Sequence, residues 1–97
     1  MAKKIIWTLT AHEDRREILL YWTVRNKSKT YSEKLNKLFI EAIGLIAEFP
    51  QIGKNTNDSK ARLKVVRDYF IVYEEQEDAV VILRIWDYRQ NPEDLMI

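Results

Sequence analysis

Positively charged and aromatic side chains accumulate in the C-terminal part of the sequence, where their types suit the binding of an anion or of a partner's backbone. The last apolar run, residues 80–86, passes directly into Asp87, Tyr88 and Arg89, and Pro92 then prevents the strand from continuing. A guanidinium binds carboxylate or phosphate groups through paired hydrogen bonds, and an aromatic ring adds apolar contact area. The residues expected to form this binding surface are Arg62, Lys64, Arg67, Arg84, Trp86, Tyr88 and Arg89.

Strand alternation predicts how these cations could share one surface. Because successive side chains of a strand point to opposite faces, Arg62 should lie beside Lys64, and Arg84 beside Trp86. The core set on the other face is then expected to be Leu63, Val65, Leu83 and Ile85. This arrangement predicts an open sheet face shaped as a basic hollow that carries an aromatic ring. The simpler interpretation is that the charges only keep a sheet edge from pairing with other chains.

Several kinds of chemistry find no support in the composition. The chain has no cysteine, which excludes a disulfide framework, a thiolate zinc site and a thiol nucleophile. Its only histidine, His12, falls in the first turn of a predicted helix and is expected to be an exposed surface residue. No metal and no cofactor are therefore expected.

Length and charge indicate a single small domain covering residues 1–97. Residues 1–7 contain only a short apolar run, too short for a signal peptide or a membrane span, and a cytoplasmic protein is expected. The net charge of +1 neither demands nor excludes a polyanionic partner. The charge is uneven, however, because residues 54–69 hold five bases against two acids and residues 74–78 hold four acids and no base.

Two helices and four strands are predicted. Thr10 with Glu13, and Thr30 with Glu33, have the spacing of capping boxes, which predicts helices over about 11–25 and from about 31 to 49. Residues 51–59 form a polar connection, and strands are expected at about 62–66, 69–74 and 80–86, in addition to one near the N-terminus. The predicted fold is α+β, with a helical hairpin on one face of a four-stranded antiparallel sheet in the order β-α-α-β-β-β.

Over essentially its whole length the chain resembles the RelE/ParE superfamily of toxins from bacterial toxin–antitoxin modules. Besides the element order, the resemblance rests on three segments: Phe49-Pro50-Gln51-Ile52-Gly53, Tyr69-Phe70-Ile71-Val72-Tyr73 and residues 85–92. It implies a toxin that binds a cognate antitoxin and acts on one of two targets. RelE-like members cut messenger RNA on the ribosome, and ParE-like members poison DNA gyrase without cutting RNA.

For a nuclease, the resemblance implies catalytic roles for Arg62, Lys64 and Arg89. The position of a further catalytic arginine is Phe70 here, and that of a C-terminal tyrosine is Leu95. Losing a cation beside the scissile phosphate removes a stabilising group worth about 3 to 4 kcal/mol in comparable sites. The resemblance therefore implies a gyrase poison first and a metal-independent ribonuclease second.

Three further features favour the ParE-like branch: the long helical hairpin, the Pro-x-x-Gly turn at residues 50–53 and the Tyr-x-Ile-x-Tyr pattern of residues 69–73. The near-neutral net charge agrees with this choice, since a protein working among ribosomal phosphates would gain affinity from a basic excess. A binding relative without toxicity stays open as a third alternative, because the arginine and tyrosine of the nuclease are missing. Self-association into a homodimer is also left open.

Overall fold

The computed structural model describes residues 2–56, 60–87 and 89. Its elements follow in the order β1 (Lys4–Trp7), α1 (Leu9–Asn26), α2 (Thr30–Glu48), β2 (Lys54–Asn55), β3 (Ala61–Val66), β4 (Tyr69–Glu75) and β5 (Ala79–Asp87). The predicted α+β class and the order β-α-α-β-β-β are confirmed. No helix in the described part of the chain is long and apolar enough to cross a membrane.

The sheet differs from the prediction in two details. It has five strands in the order β1-β5-β4-β3-β2, because residues 54–55 of the predicted polar connection pair with β3. It is also mixed, since β1 lies parallel to β5 while the other neighbours are antiparallel. A parallel neighbour requires a crossover, and the helical hairpin is that crossover between β1 and the rest of the sheet.

Helix α2 lies on the sheet through the apolar stripe that its sequence predicts. Leu35, Phe39, Ile43 and Ile46 recur at three- and four-residue steps and are all buried. They pack against the helix-facing side chains of the central strands, which include Tyr69, Ile71, Tyr73, Val80 and Ile82. Burying each large apolar side chain stabilises the fold by about 1.5 to 3 kcal/mol, so this contact fixes the position of the hairpin.

Both predicted capping boxes are wrong. Helix α1 begins at Leu9, and its N-cap is Thr8, whose Oγ1 accepts a hydrogen bond from the amide of Ala11 at 3.0 Å. Helix α2 has Lys29 at its N-cap, which makes no side-chain capping bond. At the end of α1, Lys27 adopts the left-handed conformation with φ 52°.

The predicted core of the sheet is wrong on β3 and partly wrong on β5. Pairing places Val72 opposite Arg84 and Tyr73 opposite Ile82, so Leu83 is an extra residue in a β-bulge. The bulge inverts the alternation within β5: Val80, Ile82 and Ile85 are buried, whereas Leu83 is not. On β3 the expected core residue Val65 is 51% exposed, and Leu63 is only partly buried.

Candidate functional site

The C-terminal half of β5 has a sheet edge that no strand covers. Strand β1 pairs with β5 only as far as Trp7 opposite Ile82, and the chain then enters α1. The Thr8 hydroxyl lies 3.0 Å from the carbonyl oxygens of both Ile82 and Leu83, and it donates its hydrogen to this pair. Helix α1 therefore takes over from β1 and covers the rest of this edge.

Asp14 of α1 satisfies two groups at that edge. Its carboxylate accepts a hydrogen bond from the backbone amide of Ile85 at 3.1 Å. It also accepts from Arg84 in the bidentate geometry that suits a guanidinium and a carboxylate, with Nε at 2.9 Å and Nη2 at 3.0 Å. This bond to Asp14 is the main cause that raises the pKa of Arg84 above its ordinary value. The guanidinium carbon also lies 5.0 Å from the centroid of the Trp86 ring, within the range of a cation–π contact.

A cleft of about 430 Å³ opens beside this ion pair, between α1 and the end of β5. Five charged residues contribute to its walls, namely Asp14, Glu17, Arg84, Asp87 and Arg89. Three aromatic residues, Tyr21, Tyr69 and Trp86, also line the cleft. With three acids against two bases, the cleft does not have the basic excess that the sequence predicted.

The hydroxyl of Tyr69 is held at the base of the cleft. It accepts a hydrogen bond from Nε1 of Trp22 at 2.8 Å, which ties α1 to β4. Burial raises the pKa of the Tyr69 hydroxyl, so the group stays protonated at neutral pH. The indole nitrogen of Trp86 is buried and has no hydrogen-bond partner in the described part of the chain. Both side chains line the cleft, and Nε1 of Trp86 is shielded from solvent.

Asp87 and Arg89 form a second ion pair at the rim. Nη2 of Arg89 lies 2.7 Å from one oxygen of Asp87, and Nε lies 2.9 Å from the other. The guanidinium is the first cause that lowers the pKa of Asp87, and the same contact raises the pKa of Arg89. Arg89 is exposed, so solvent screens the pair. The Arg89 guanidinium is nevertheless bound by the Asp87 carboxylate and does not point toward Arg62 or Lys64.

Arg62 lies elsewhere and is engaged with the loop after α2. Its Nη1 donates to the carbonyl of Gly53 at 2.9 Å and to that of Gln51 at 3.3 Å. The hydroxyl of buried Tyr73 donates to the carbonyl of Pro50 at 2.6 Å and accepts from the amide of Gly53 at 2.9 Å. Position 53 requires glycine, because a Cβ there would lie 2.6 Å from the Tyr73 hydroxyl oxygen. The Pro-x-x-Gly segment thus has a structural role in docking this loop onto β3 and β4.

The predicted grouping of cations on one open face is wrong. Arg62 pairs with Tyr73 and Lys64 with Ile71, both of which face the helices. Arg84 and Trp86 pair with Val72 and Phe70, which belong to the opposite face. Because of the bulge at Leu83, Arg84 and Trp86 lie on the face away from the helices, as predicted. On β3, however, Arg62 and Lys64 lie on the helix-facing side, opposite to the prediction.

The structure brings together Arg84, Trp86 and Arg89 out of the predicted set. Arg67 occupies the β3–β4 turn with φ 57° and is exposed, away from Arg62. Tyr88, which the sequence also predicts for the site, and Leu95 lie outside the described residues. A binding or catalytic role for the predicted residues stays a prediction, and Arg62 has in addition a structural role that the sequence did not indicate.

Sequence reasoning missed the contribution of α1 to the cleft. Asp14, Glu17 and Tyr21 share one side of the helix at three- and four-residue steps, which is a visible pattern. The pattern identifies a binding surface only if it is known that β1 ends opposite Ile82 and leaves the rest of β5 to be covered by α1. Within the described residues, no group of three or more His, Asp or Glu side chains could hold a metal ion.

Comparison with known proteins identifies a family. The family described as "ParE toxin of type II toxin-antitoxin system, parDE" matches residues 5–92. A search of curated proteins gives no match. Among solved structures, the chain is similar to one titled "Chromosomal ParDE TA system from P. aeruginosa", with a TM-score of 0.75 and 16% identity. That alignment covers 89% of this chain and 96% of the other, and at this identity it shows a shared fold.

Proposed function

This chain belongs to the family of ParE toxins of type II toxin–antitoxin systems, and on that premise we propose that it inhibits bacterial growth by acting on DNA gyrase. A cognate antitoxin encoded beside it would neutralise it. The observation that carries the proposal is the family match over residues 5–92, which spans nearly the whole chain. Gyrase works on chromosomal DNA, so the proposal places the protein in the bacterial cytoplasm.

The positions of the cations support a gyrase poison over a ribonuclease. General acid–base cleavage of RNA needs its catalytic groups within hydrogen-bond reach of one phosphate and one ribose hydroxyl. Of the three residues that a nuclease would use, Arg62 and Lys64 lie on the helix-facing side of β3, whereas Arg89 lies beyond the end of β5 and is bound to Asp87. Arg62 is moreover held by two loop carbonyls. Phe70 shares the face of Trp86 and supplies no charge to a phosphate.

The outer surface of α1 supports binding of an antitoxin segment. A groove of about 590 Å³ runs along this helix, lined by Glu17, Leu20, Tyr21, Val24 and Arg25. Leu20 and Val24 are 55% and 67% exposed, an unusual display of apolar surface on one helix. The groove shares Glu17 and Tyr21 with the cleft at the end of β5. An amphipathic antitoxin helix could place its apolar side chains in the groove and one polar side chain in the cleft.

Induced expression in bacterial cells tests the toxin assignment. The chain alone is expected to arrest growth, and co-expression with the product of the adjacent antitoxin gene is expected to restore it. Leu20→Asp with Val24→Asp would place two charges in the α1 groove and should abolish rescue by the antitoxin. The control Ile40→Asp changes an exposed apolar residue of α2 and should keep rescue. Normal growth in cells that accumulate the folded chain without antitoxin would overturn the assignment.

The target is tested separately. Messenger RNA from arrested cells is examined by primer extension, and purified chain is added to gyrase and supercoiled or relaxed plasmid. Loss of supercoiling activity with intact messages is the expected pattern. Cuts in translated messages that disappear in Arg62→Lys or Lys64→Gln, while gyrase stays active, would favour the ribonuclease instead.

A further inference from the structure

The fold separates its exposed charges into a basic end and an acidic end. At one end lie the tip of the helical hairpin, the β3–β4 turn and the exit of β5. At the other lie the β4–β5 turn, the start of β1 and the end of α2. The basic end contains six bases against three acids, and its bases are Arg25, Lys27, Lys29, Lys34, Arg67 and Arg89.

Direct contacts establish that these elements meet. Trp22, near the end of α1, donates a hydrogen bond to Tyr69 at the start of β4 and stacks edge-on against Tyr31 of α2. Tyr69 pairs with both Val66 and Asp87, so the β3–β4 turn and the end of β5 lie beside the same contact. The charges of Asp68 and Arg89 also influence each other across this turn.

The cations of this end are available to a partner. Arg25, Lys27, Lys29, Lys34 and Arg67 are all exposed and form no ion pair with another described residue. Lys27 and Arg67 both adopt positive φ, which fixes the backbone of the hairpin tip and of the turn in tight reversals. Tight reversals hold the cations on short, projecting segments of two different elements.

The acidic end is the electrostatic opposite. Residues 74–78 and Glu48 supply five acids there, against Lys3, Lys4 and Lys60, which precedes the partner of Glu74 on β3. Lys3 is neutralised by Glu75 at 3.0 Å, and its amide is bound by the carbonyl of Ala47 at the end of α2. The near-zero net charge therefore conceals a charge separation along the molecule, which orients the chain in the field of a polyanion.

We propose that the basic end, formed by the hairpin tip and the β3–β4 turn, binds the phosphate backbone of duplex DNA without sequence preference. Separate point charges on projecting segments suit phosphates spaced along a duplex, where each neutralised phosphate releases counterions. Among the aromatic residues near the tip, Trp22 and Tyr31 pack edge-on against each other and only Tyr21 is largely exposed, so the described part of the chain presents no row of rings for the base stacking that single-stranded nucleic acid favours. The inference goes beyond the proposed function, because it concerns binding of DNA by the isolated chain.

The test measures fluorescence anisotropy of a labelled duplex as full-length chain is added over a range of salt concentrations. A dissociation constant on the order of 1 to 100 µM is expected at physiological salt, as for other non-specific complexes, with tighter binding at lower salt. With roughly four phosphate contacts, the slope of log K against log salt should be about −3 to −4. Two duplexes of unrelated sequence should bind equally.

A charge-matched pair of variants locates the surface. Lys27→Asn with Lys29→Gln and Arg67→Asn removes three charges from the basic end, and asparagine tolerates the left-handed backbone at two of these positions. The slope should shrink by about 3 and binding should weaken at least tenfold. The control Lys4→Gln with Lys37→Gln and Lys54→Gln removes three exposed charges elsewhere and should leave the slope unchanged. Thermal melts establish that both variants are folded.

Three outcomes would overturn the proposal. The first is no anisotropy change at low salt. The second is equal loss of binding in both triple variants, which would assign binding to net charge alone. The third is stronger binding to single-stranded RNA or to polyglutamate than to the duplex, which would point to a different class of partner. Growth arrest that persists in the absence of DNA binding would leave the toxin assignment intact, so the two failures are distinguishable.

Discussion

The hydroxyl of Tyr73 is predicted to hold the loop between α2 and β2 in place. Tyr73 is fully buried, and its oxygen donates to Pro50 and accepts from Gly53 at the centre of this loop. Tyr73→Phe keeps the ring and its packing but removes both hydrogen bonds. The amide of Gly53 is then left buried without a partner, and the carbonyl of Pro50 loses its only described donor.

The expected loss of stability follows from these two groups. A buried polar group left without a partner costs about 1 to 3 kcal/mol. The amide of buried Gly53 should incur the larger cost, while partly exposed Pro50 can recover a bond to water. The sum is about 2 to 3 kcal/mol, a large fraction of the 5 to 15 kcal/mol typical of a small domain. For a chain of this length it corresponds to a melting temperature lower by roughly 8 to 24 °C.

Urea unfolding followed by circular dichroism measures this loss. Tyr21→Phe is the matched control, because it removes the hydroxyl of a tyrosine that is 53% exposed and should change stability by less than about 0.5 kcal/mol. A second control is Gly53→Ala, whose Cβ would meet the same hydroxyl oxygen at 2.6 Å. The alanine should cost only somewhat less in the Tyr73→Phe background, because the ring carbon Cε1 at 2.8 Å and the Leu63 carbonyl oxygen at 3.0 Å still crowd the Cβ. If Tyr73→Phe were as stable as the control, the loop would not depend on these bonds.

Three further changes test the interactions around the site. Asp14→Asn should lower the free energy of unfolding by about 1.5 to 3 kcal/mol, because the Arg84 guanidinium loses a charged partner, whereas Glu17→Gln should change it by less than about 0.5 kcal/mol in the same urea melts. Arg62→Lys should cost about 1 kcal/mol, since an ammonium cannot reach both loop carbonyls with a planar fork, and limited proteolysis should then cut the loop faster. Burial raises the pKa of Tyr73 in the folded state. The contribution of its protonated hydroxyl to the free energy of unfolding is therefore complete below the unfolded pKa of about 10, and it is lost as the pH rises through the folded pKa. Thermal melts across alkaline pH should show this loss of stability.

Each of these predictions has a contradicting result. Equal stability of Asp14→Asn and Glu17→Gln would mean that the ion pair does not fasten α1 to the edge of β5. Unchanged proteolysis of Arg62→Lys would mean that the loop is held by other contacts. An alkaline stability profile that is the same in Tyr73→Phe as in the natural chain would assign the pH dependence to another group.

The sequence predicted the helical hairpin and the order of the elements along the chain because both depend on local patterns. The stripe from Leu35 to Ile46 has a helical period, and only one face of α2 can be buried with it. The strands are short β-branched and aromatic runs separated by turn residues. These signals do not depend on which strand lies beside which.

The candidate site depends on long-range register, which local patterns do not determine. The bulge at Leu83 becomes visible only when β5 is placed against β4, and it changes which side chains of β5 face the core. The sequence of β3 likewise does not determine which of its side chains face the core. Leu63 and Val65 have the side chains typical of a core, yet Arg62 and Lys64 lie on the helix-facing side. A one-residue shift of register moves every side chain to the opposite face, so a correct fold can accompany a wrong surface.

The cleft shows the same limit for α1. Asp14 has no special sequence context, and its role arises because β1 stops opposite Ile82 and leaves the amide of Ile85 without a strand partner. A carboxylate from the helix then supplies the missing acceptor. Sequence alone indicated the cations at this end of β5 but not the acids that bind them.

The direct test of the account is a gyrase assay with the purified chain, in the presence and in the absence of its antitoxin. The chain alone is expected to inhibit DNA supercoiling, the antitoxin is expected to restore it, and translated messages are expected to stay uncut in parallel reactions. Fully active gyrase at a large excess of folded chain, together with ribosome-dependent cleavage of messenger RNA, would contradict this expectation.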